Sequence, residues 1–143
     1  MNDEYYMKMA LKLAGKGRCY VSPNPMVGAV IVKNGRIIGK GYHQLFGGNH
    51  AEINAIRNAG NAVKGSTLYV TLEPCCHEGK TPPCVNAIIE NKIARVVIGA
   101  IDSNPLVCGE GVGCLQSSGV KVTTGVLEEE CRRLNETFFH FME

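Results

Sequence analysis

The sequence has no basic run. Its 15 Lys and Arg are scattered among 13 Asp and Glu, for a formal net charge of +2. That leaves no stripe to track nucleic-acid phosphates, so no nucleic-acid partner is expected. Nor is there an apolar stretch near the roughly 18 residues that would suggest a membrane span. The opening Met1-Asn2-Asp3-Glu4-Tyr5 is polar and acidic, which is not the character of a secretory signal. Internal repeats and interdomain linkers are absent. A cysteine set suited to pairwise disulfides is missing too: there are seven, an odd number. Cys75, Cys76 and Cys84 cluster, whereas Cys19, Cys108, Cys114 and Cys131 are dispersed in apolar or small-residue settings. This usage points to a reducing cytoplasm with metal ligation. The dispersed four read as small buried hydrophobes.

What is present is ordinary globular material, 143 residues with 45% hydrophobic and 20% charged, enough for one domain with a sizeable core. Residues 3 to about 18 carry apolar Tyr6, Met9, Ala10 and Leu13 at helical spacing, with Lys8, Lys12 and Lys16 opposite. Val27–Val32 reads as a strand buried on both faces. Asn34-Gly35 is a tight hairpin signal, and Arg36–His43 returns as the second strand. Gly28 and Gly39 inside these strands predict close backbone approach or a bulge. A helix after His50 presents Ala51, Ala55, Ile56 and Ala59 and stops at Gly60. Then follow a strand at Thr67–Leu72, a helix from Cys84 to about Glu90 and a strand at Ala94–Gly99. A short helix at Gly111–Ser118, a strand at Val120–Thr123 and a helix from Leu127 to about Met142 close the chain. The last helix would bury Leu127, Cys131, Leu134 and Phe138. The order predicts an α/β domain: a mixed sheet whose first two strands pair antiparallel and whose later strands join through helical crossovers.

The chemistry concentrates in His50-Ala51-Glu52 and in Pro74-Cys75-Cys76-His77-Glu78-Gly79-Lys80-Thr81-Pro82-Pro83-Cys84. One imidazole and two thiolates leave the fourth corner of a tetrahedral zinc open, as catalytic sites require. His-x-Glu followed by Pro-Cys and a second Cys is the pattern of zinc deaminases acting on bases, with the Glu moving protons without binding the metal. Residues two apart inside a helix diverge by about 200°, so His50 and Glu52 can share a pocket only at a helix start. The local alternative is an Asn49–Glu52 capping arrangement. Cys75 after a strand and Cys84 opening a helix are places where thiolates form readily. Cys76 is a rival ligand and reads as packing or hydrogen bonding. His77 would close the open corner and is assigned to substrate. Lys80 is a surface lysine or a phosphate contact. Asn24, held stiffly between Pro23 and Pro25, is either turn or pocket rim. A structural zinc module with four ligands is the competing class of function.

These residues resemble the deaminase domain of the bifunctional riboflavin-biosynthesis deaminase/reductases, diaminohydroxyphosphoribosylaminopyrimidine deaminase, within the cytidine deaminase-like superfamily. The matching stretches are Asp3–Met7, Pro23–Gly28, Gly41-Tyr42-His43, His50-Ala51-Glu52, Thr71–Cys75, His77 through Cys84, Asp102–Pro105 and Leu134-Asn135. The eight residues between Cys75 and Cys84 are the most specific element, because general cytidine, deoxycytidylate and tRNA adenosine deaminases carry Cys-x-x-Cys there. Cys76 and Ser103 depart from the Ser and Pro common in the family. The resemblance implies a three-layer α/β/α sandwich around a mixed sheet of about five strands. It implies Zn2+ on His50, Cys75 and Cys84, with Glu52 as proton shuttle. Asn24, His43, His77, Lys80 and Asn104 become substrate contacts, Lys80 and Asn104 toward the ribose phosphate of a small phosphoribosylated pyrimidine. A dimer or higher assembly is implied as well. Family members continue into an NADPH-dependent reductase domain where this sequence stops, so residues 1–143 are expected to form the deaminase domain, with no reductase activity and the reductase either a separate protein or excised.

Overall fold

The computed structural model describes residues 2–17, 26–44, 48–75, 84–101 and 109–134. Helix α1 (Asp3–Ala14) starts on Asn2, whose side chain accepts the Tyr5 N–H, and ends in a 3-10 turn over Gly15–Gly17. Strands β1 (Gly28–Lys33) and β2 (Arg36–Tyr42) form the expected hairpin. Asn34 and Gly35 both take positive φ, 52° and 76°, as a primed two-residue turn demands. The β1–β2 register slips between Ile31 and Val32, which pair with Gly39 and Ile37, so the bulge falls beside Gly39. Helix α2 (Ala51–Ala59) leads through a 3-10 turn to β3 (Thr67–Leu72); α3 (Cys84–Glu90), β4 (Arg95–Ala100), α4 (Glu110–Ser117) and β5 (Lys121–Thr124) follow. Residues 128–134 are helical.

The sheet order is β2-β1-β3-β4-β5, with β1 antiparallel to both neighbours and β3, β4 and β5 parallel. Alternation along the strands splits the core into two layers. Ala29, Ile31, Leu68, Val70, Val96 and Ile98 pack under Ala51, Ala55, Val85, Ile88 and Leu115 of α2, α3 and α4. Val30, Val32, Tyr69 and Val97 face the other way, onto Tyr6, Met7 and Ala10 of α1 and onto Cys131. The result is the three-layer α/β/α sandwich with five strands.

Several side-chain expectations are corrected. The buried face of α1 is Tyr6, Met7, Ala10 and Ala14, while Met9 and Leu13 are only half-buried. The rotation brings two alanines against Gly28, where a Cβ would strike the Ala10 carbonyl oxygen. Small residues on both sides let the helix backbone rest on the strand. In α2 the buried residues are Ala51, Glu52 and Ala55; Ile56 and Ala59 are half-buried. Cys131 is buried as expected, but Cys114 is exposed on α4. The final helix starts after Leu127, which takes a φ of 54° in the preceding turn. Cys19, Cys108 and Phe138 lie outside the described residues.

Strand β2 forms one edge of the sheet. Two of its backbone groups that β1 does not use are met by amide side chains of α2. Asn58 accepts the Lys40 N–H at 3.0 Å and Asn54 donates to the Tyr42 carbonyl at 2.9 Å.

Candidate metal centre and active site

The site forms where β3 runs out and where α2 and α3 begin. Strand β2 holds α2 close because Gly39 and Gly41 carry no side chain. A Cβ at Gly41 would collide with the Ala51 carbonyl oxygen and the Ala55 amide nitrogen, both backbone atoms. His50 is the N-cap of α2, with φ −70° and ψ 164°, and its side chain makes no capping bond. The entering chain is therefore extended at His50 and helical from Ala51. This leaves His50 and Glu52 close enough for the imidazole to act on the carboxyl, and it puts His50, not Asn49, at the N-cap. Asn49 instead contributes its carbonyl, which contacts His43 Nδ1 at 3.1 Å and accepts from Asn54 at 3.4 Å.

Cys75 arrives from β3 and Cys84 opens α3. Two hydrogen bonds join them: Val85 N–H donates to the Cys75 carbonyl at 3.1 Å, and Cys84 N–H donates to the Cys75 side chain's Sγ at 3.3 Å. His50 Nδ1 lies 3.1 Å from Cys84 Sγ and 3.9 Å from Cys75 Sγ. All three donor atoms fall within 4.8 Å of one another. A tetrahedral zinc with Zn–S about 2.3 Å and Zn–N about 2.05 Å needs donor separations of roughly 3.5–3.8 Å. The observed spacing brackets that range, so the residues fit the ion with small adjustments. Among the described residues no other such cluster of His, Cys, Asp or Glu occurs.

The electrostatics are those of a site ready to take a cation. Cys75 is pulled well below the ordinary thiol range by the Cys84 hydrogen bond first, despite its burial, and then by His50 and the Cys84 amide. Cys84 is driven the other way, as donor to Cys75 and by burial. His50 is raised, chiefly by its hydrogen bond to Cys75, although Cys84 Sγ lies nearer to its ring. Glu52 is only 3% exposed, and burial pushes its carboxyl up to about 7 against the pull of its own backbone amide and of His50. A carboxyl pushed toward neutrality beside three clustered donor atoms suits general acid–base work.

Residues 1–100 match the model of the cytidine and deoxycytidylate deaminase zinc-binding region. The chain belongs to this deaminase family. The riboflavin biosynthesis protein RibD of Aquifex aeolicus is 55% identical over 140 residues, 98% of this chain and 39% of that protein. The diaminohydroxyphosphoribosylamino-pyrimidine deaminase of Buchnera aphidicola subsp. Schizaphis graminum is 50% identical over 142 residues, 99% of this chain and 97% of that protein. The solved structure of Acinetobacter baumannii RibD superposes with a TM-score of 0.93 at 45% identity, over 98% of this chain and 39% of that one. The chain thus spans about two-fifths of the length of the RibD proteins it matches, and nearly all of the Buchnera deaminase.

Within the family site, His50, Glu52, Cys75 and Cys84 come together. His43 sits beside them, buried, with its ring edge-on to His50 at 5.2 Å between centroids. Burial lowers its pKa. Asn24, Cys76, His77, Lys80 and Asn104 lie outside the described residues. Sequence reasoning assigned no role to Glu73. Its carboxylate, 6% exposed, accepts N–H bonds from Gly109 and Val112 at the start of α4, both at 3.0 Å. A signal was available: α4 begins on a glycine and so has no side chain of its own to cap it, while an acid stands unexplained at the end of an apolar strand.

Proposed function

We propose that this chain hydrolytically deaminates 2,5-diamino-6-(phosphoribosylamino)pyrimidinone to 5-amino-6-(phosphoribosylamino)uracil in riboflavin biosynthesis. The observation that carries the reading is the buried Glu52 carboxyl beside the three-donor cluster of His50, Cys75 and Cys84. The named relatives supply the substrate class. His50, Cys75 and Cys84 hold zinc, which supplies the Lewis acidity that makes water a nucleophile near neutral pH. Glu52 takes a proton from the attacking water and returns protons to the departing amine. Water oxygen bonds to the ring carbon, the exocyclic C–N bond breaks, ammonia leaves and a carbonyl remains. His43 contacts the substrate from beside His50; Asn24, His77, Lys80 and Asn104 complete the pocket, the last two toward the phosphate. Residues 1–143 act as a deaminase domain in a reducing cytoplasm, and as a dimer or higher assembly.

Ammonia release from the phosphoribosylated diaminopyrimidine, cytidine, deoxycytidylate, guanine and an adenosine-bearing RNA tests the assignment. Turnover is expected with the first alone, and turnover confined to cytidine-type substrates ends the reading. Glu52→Gln should lower the rate by about 10²–10⁴ with zinc content unchanged. A structural zinc module predicts no catalytic consequence.

A further inference from the structure

Glu73 does more than end a strand. Helix α4 has Gly109 as N-cap, with no side chain to accept, and Val112 at the third helical position, with no polar atom to reach back. In a capping box these two positions satisfy each other's N–H groups through their side chains. Here a single carboxylate from another segment serves both, one oxygen to Gly109 and the other to Val112. The main-chain N–H of Glu73 meanwhile donates to the Ala100 carbonyl at 2.9 Å, continuing the β3–β4 pairing. Gly111 lies so close over this turn that a Cβ there would strike the Pro74 carbonyl oxygen and approach Glu73 Cγ at 3.1 Å. Two residues after Glu73 comes Cys75, tied on its other side to the start of α3.

We propose that Glu73 is a positioning residue for the metal centre: it seats the Cys75 turn on α4 and thereby sets where the Cys75 sulfur stands relative to Cys84 and His50. The same residue holds Ala100 through its main-chain N–H and Gly109 through its carboxylate. The inference rests on the metal-dependent deaminase reading.

Cobalt(II) is the probe, because thiolate–cobalt absorption reports ligand geometry without turnover. Glu73→Gln keeps the shape but turns one acceptor into a donor facing an N–H. It is expected to bind cobalt about tenfold more weakly, in line with the usual cost of disturbing groups that orient ligands, and to shift the absorption bands. Gly111→Ala wedges the same contact from the helix side without altering any polar group, and should reproduce both changes. Glu73→Asp, which keeps the charge on a shorter arm, should fall between. If Gln or Asp fails to fold, the alanine variant decides. Wild-type affinity and spectrum in the folded variants, with only a lower melting temperature, would overturn the proposal and leave Glu73 a plain cap. Failure of the unmodified chain to bind zinc or cobalt would instead overturn the functional reading beneath it.

Discussion

Where β3 and β4 begin, Asp3, Arg95, Tyr69 and Thr123 form a fully matched polar network. Arg95 grips both Asp3 oxygens at 3.1 and 2.8 Å, Tyr69 Oη donates to Asp3 at 2.8 Å, and Thr123 accepts from Arg95 at 3.1 Å. Where the same strands finish, Glu52 is buried with its carboxyl pushed up to about 7, and two thiols crowd one imidazole. The first end joins α1 to three strands with charges that satisfy one another at the half-exposed surface. The second gathers a buried carboxyl and three donor atoms that could hold a metal ion. The contrast places cohesion at one end of the sheet and reactivity at the other, and it can be broken from either side.

The largest effect belongs to the reactive end. Cys84→Ala removes one of three donors, and elemental analysis should find the metal lost and ammonia release at background. Retained stoichiometric metal would mean another side chain ligates. Next come the two glycine seats, which separate position from cohesion. Gly28→Ala and Gly41→Ala each force a methyl into helix backbone, so denaturant melts should show losses near about 3 kcal/mol. Activity of the folded fraction should fall far more for Gly41→Ala, because α2 carries His50 and Glu52, than for Gly28→Ala, which displaces α1. Equal activity losses would deny the division.

Smaller effects belong to the cohesive end. Asp3→Asn should cost no more than about 1 kcal/mol, since the pair is partly exposed and screened by solvent, and should leave kcat and KM unchanged. Its pH dependence has a definite sign. The Arg95 hydrogen bond holds the Asp3 carboxyl below its ordinary 3.8. The stabilisation is thus complete above that value and is lost as pH falls through the lower, folded-state pKa. The difference in melting temperature between the parent and Asp3→Asn should shrink on acidification below pH 4 or so; a constant difference would show that the pair does not act through charge.

Much of the fold is legible in the residues because local signals agree with the global arrangement. Asn34-Gly35 demands a primed turn, the unbroken apolar run of β1 demands cover on both faces, and helices alternate with strands thereafter. The candidate site is legible for a different reason: His50 and Glu52 at their spacing make chemical sense only at a helix start, and the structure puts an extended N-cap there. What escaped depends on contacts between distant segments. The buried face of α1 is chosen by Gly28, in a different element, and periodicity within the helix cannot see that. Glu73 acts on N–H groups 36 and 39 residues away, so its use is invisible until α4 is in place.

The two asparagines of α2 that meet β2 carry one more consequence. A foreign strand approaching that rim would find its would-be partners at Lys40 and Tyr42 already engaged, and would have to evict two amides before it could register. The hairpin thus carries its own guard against edge-to-edge association.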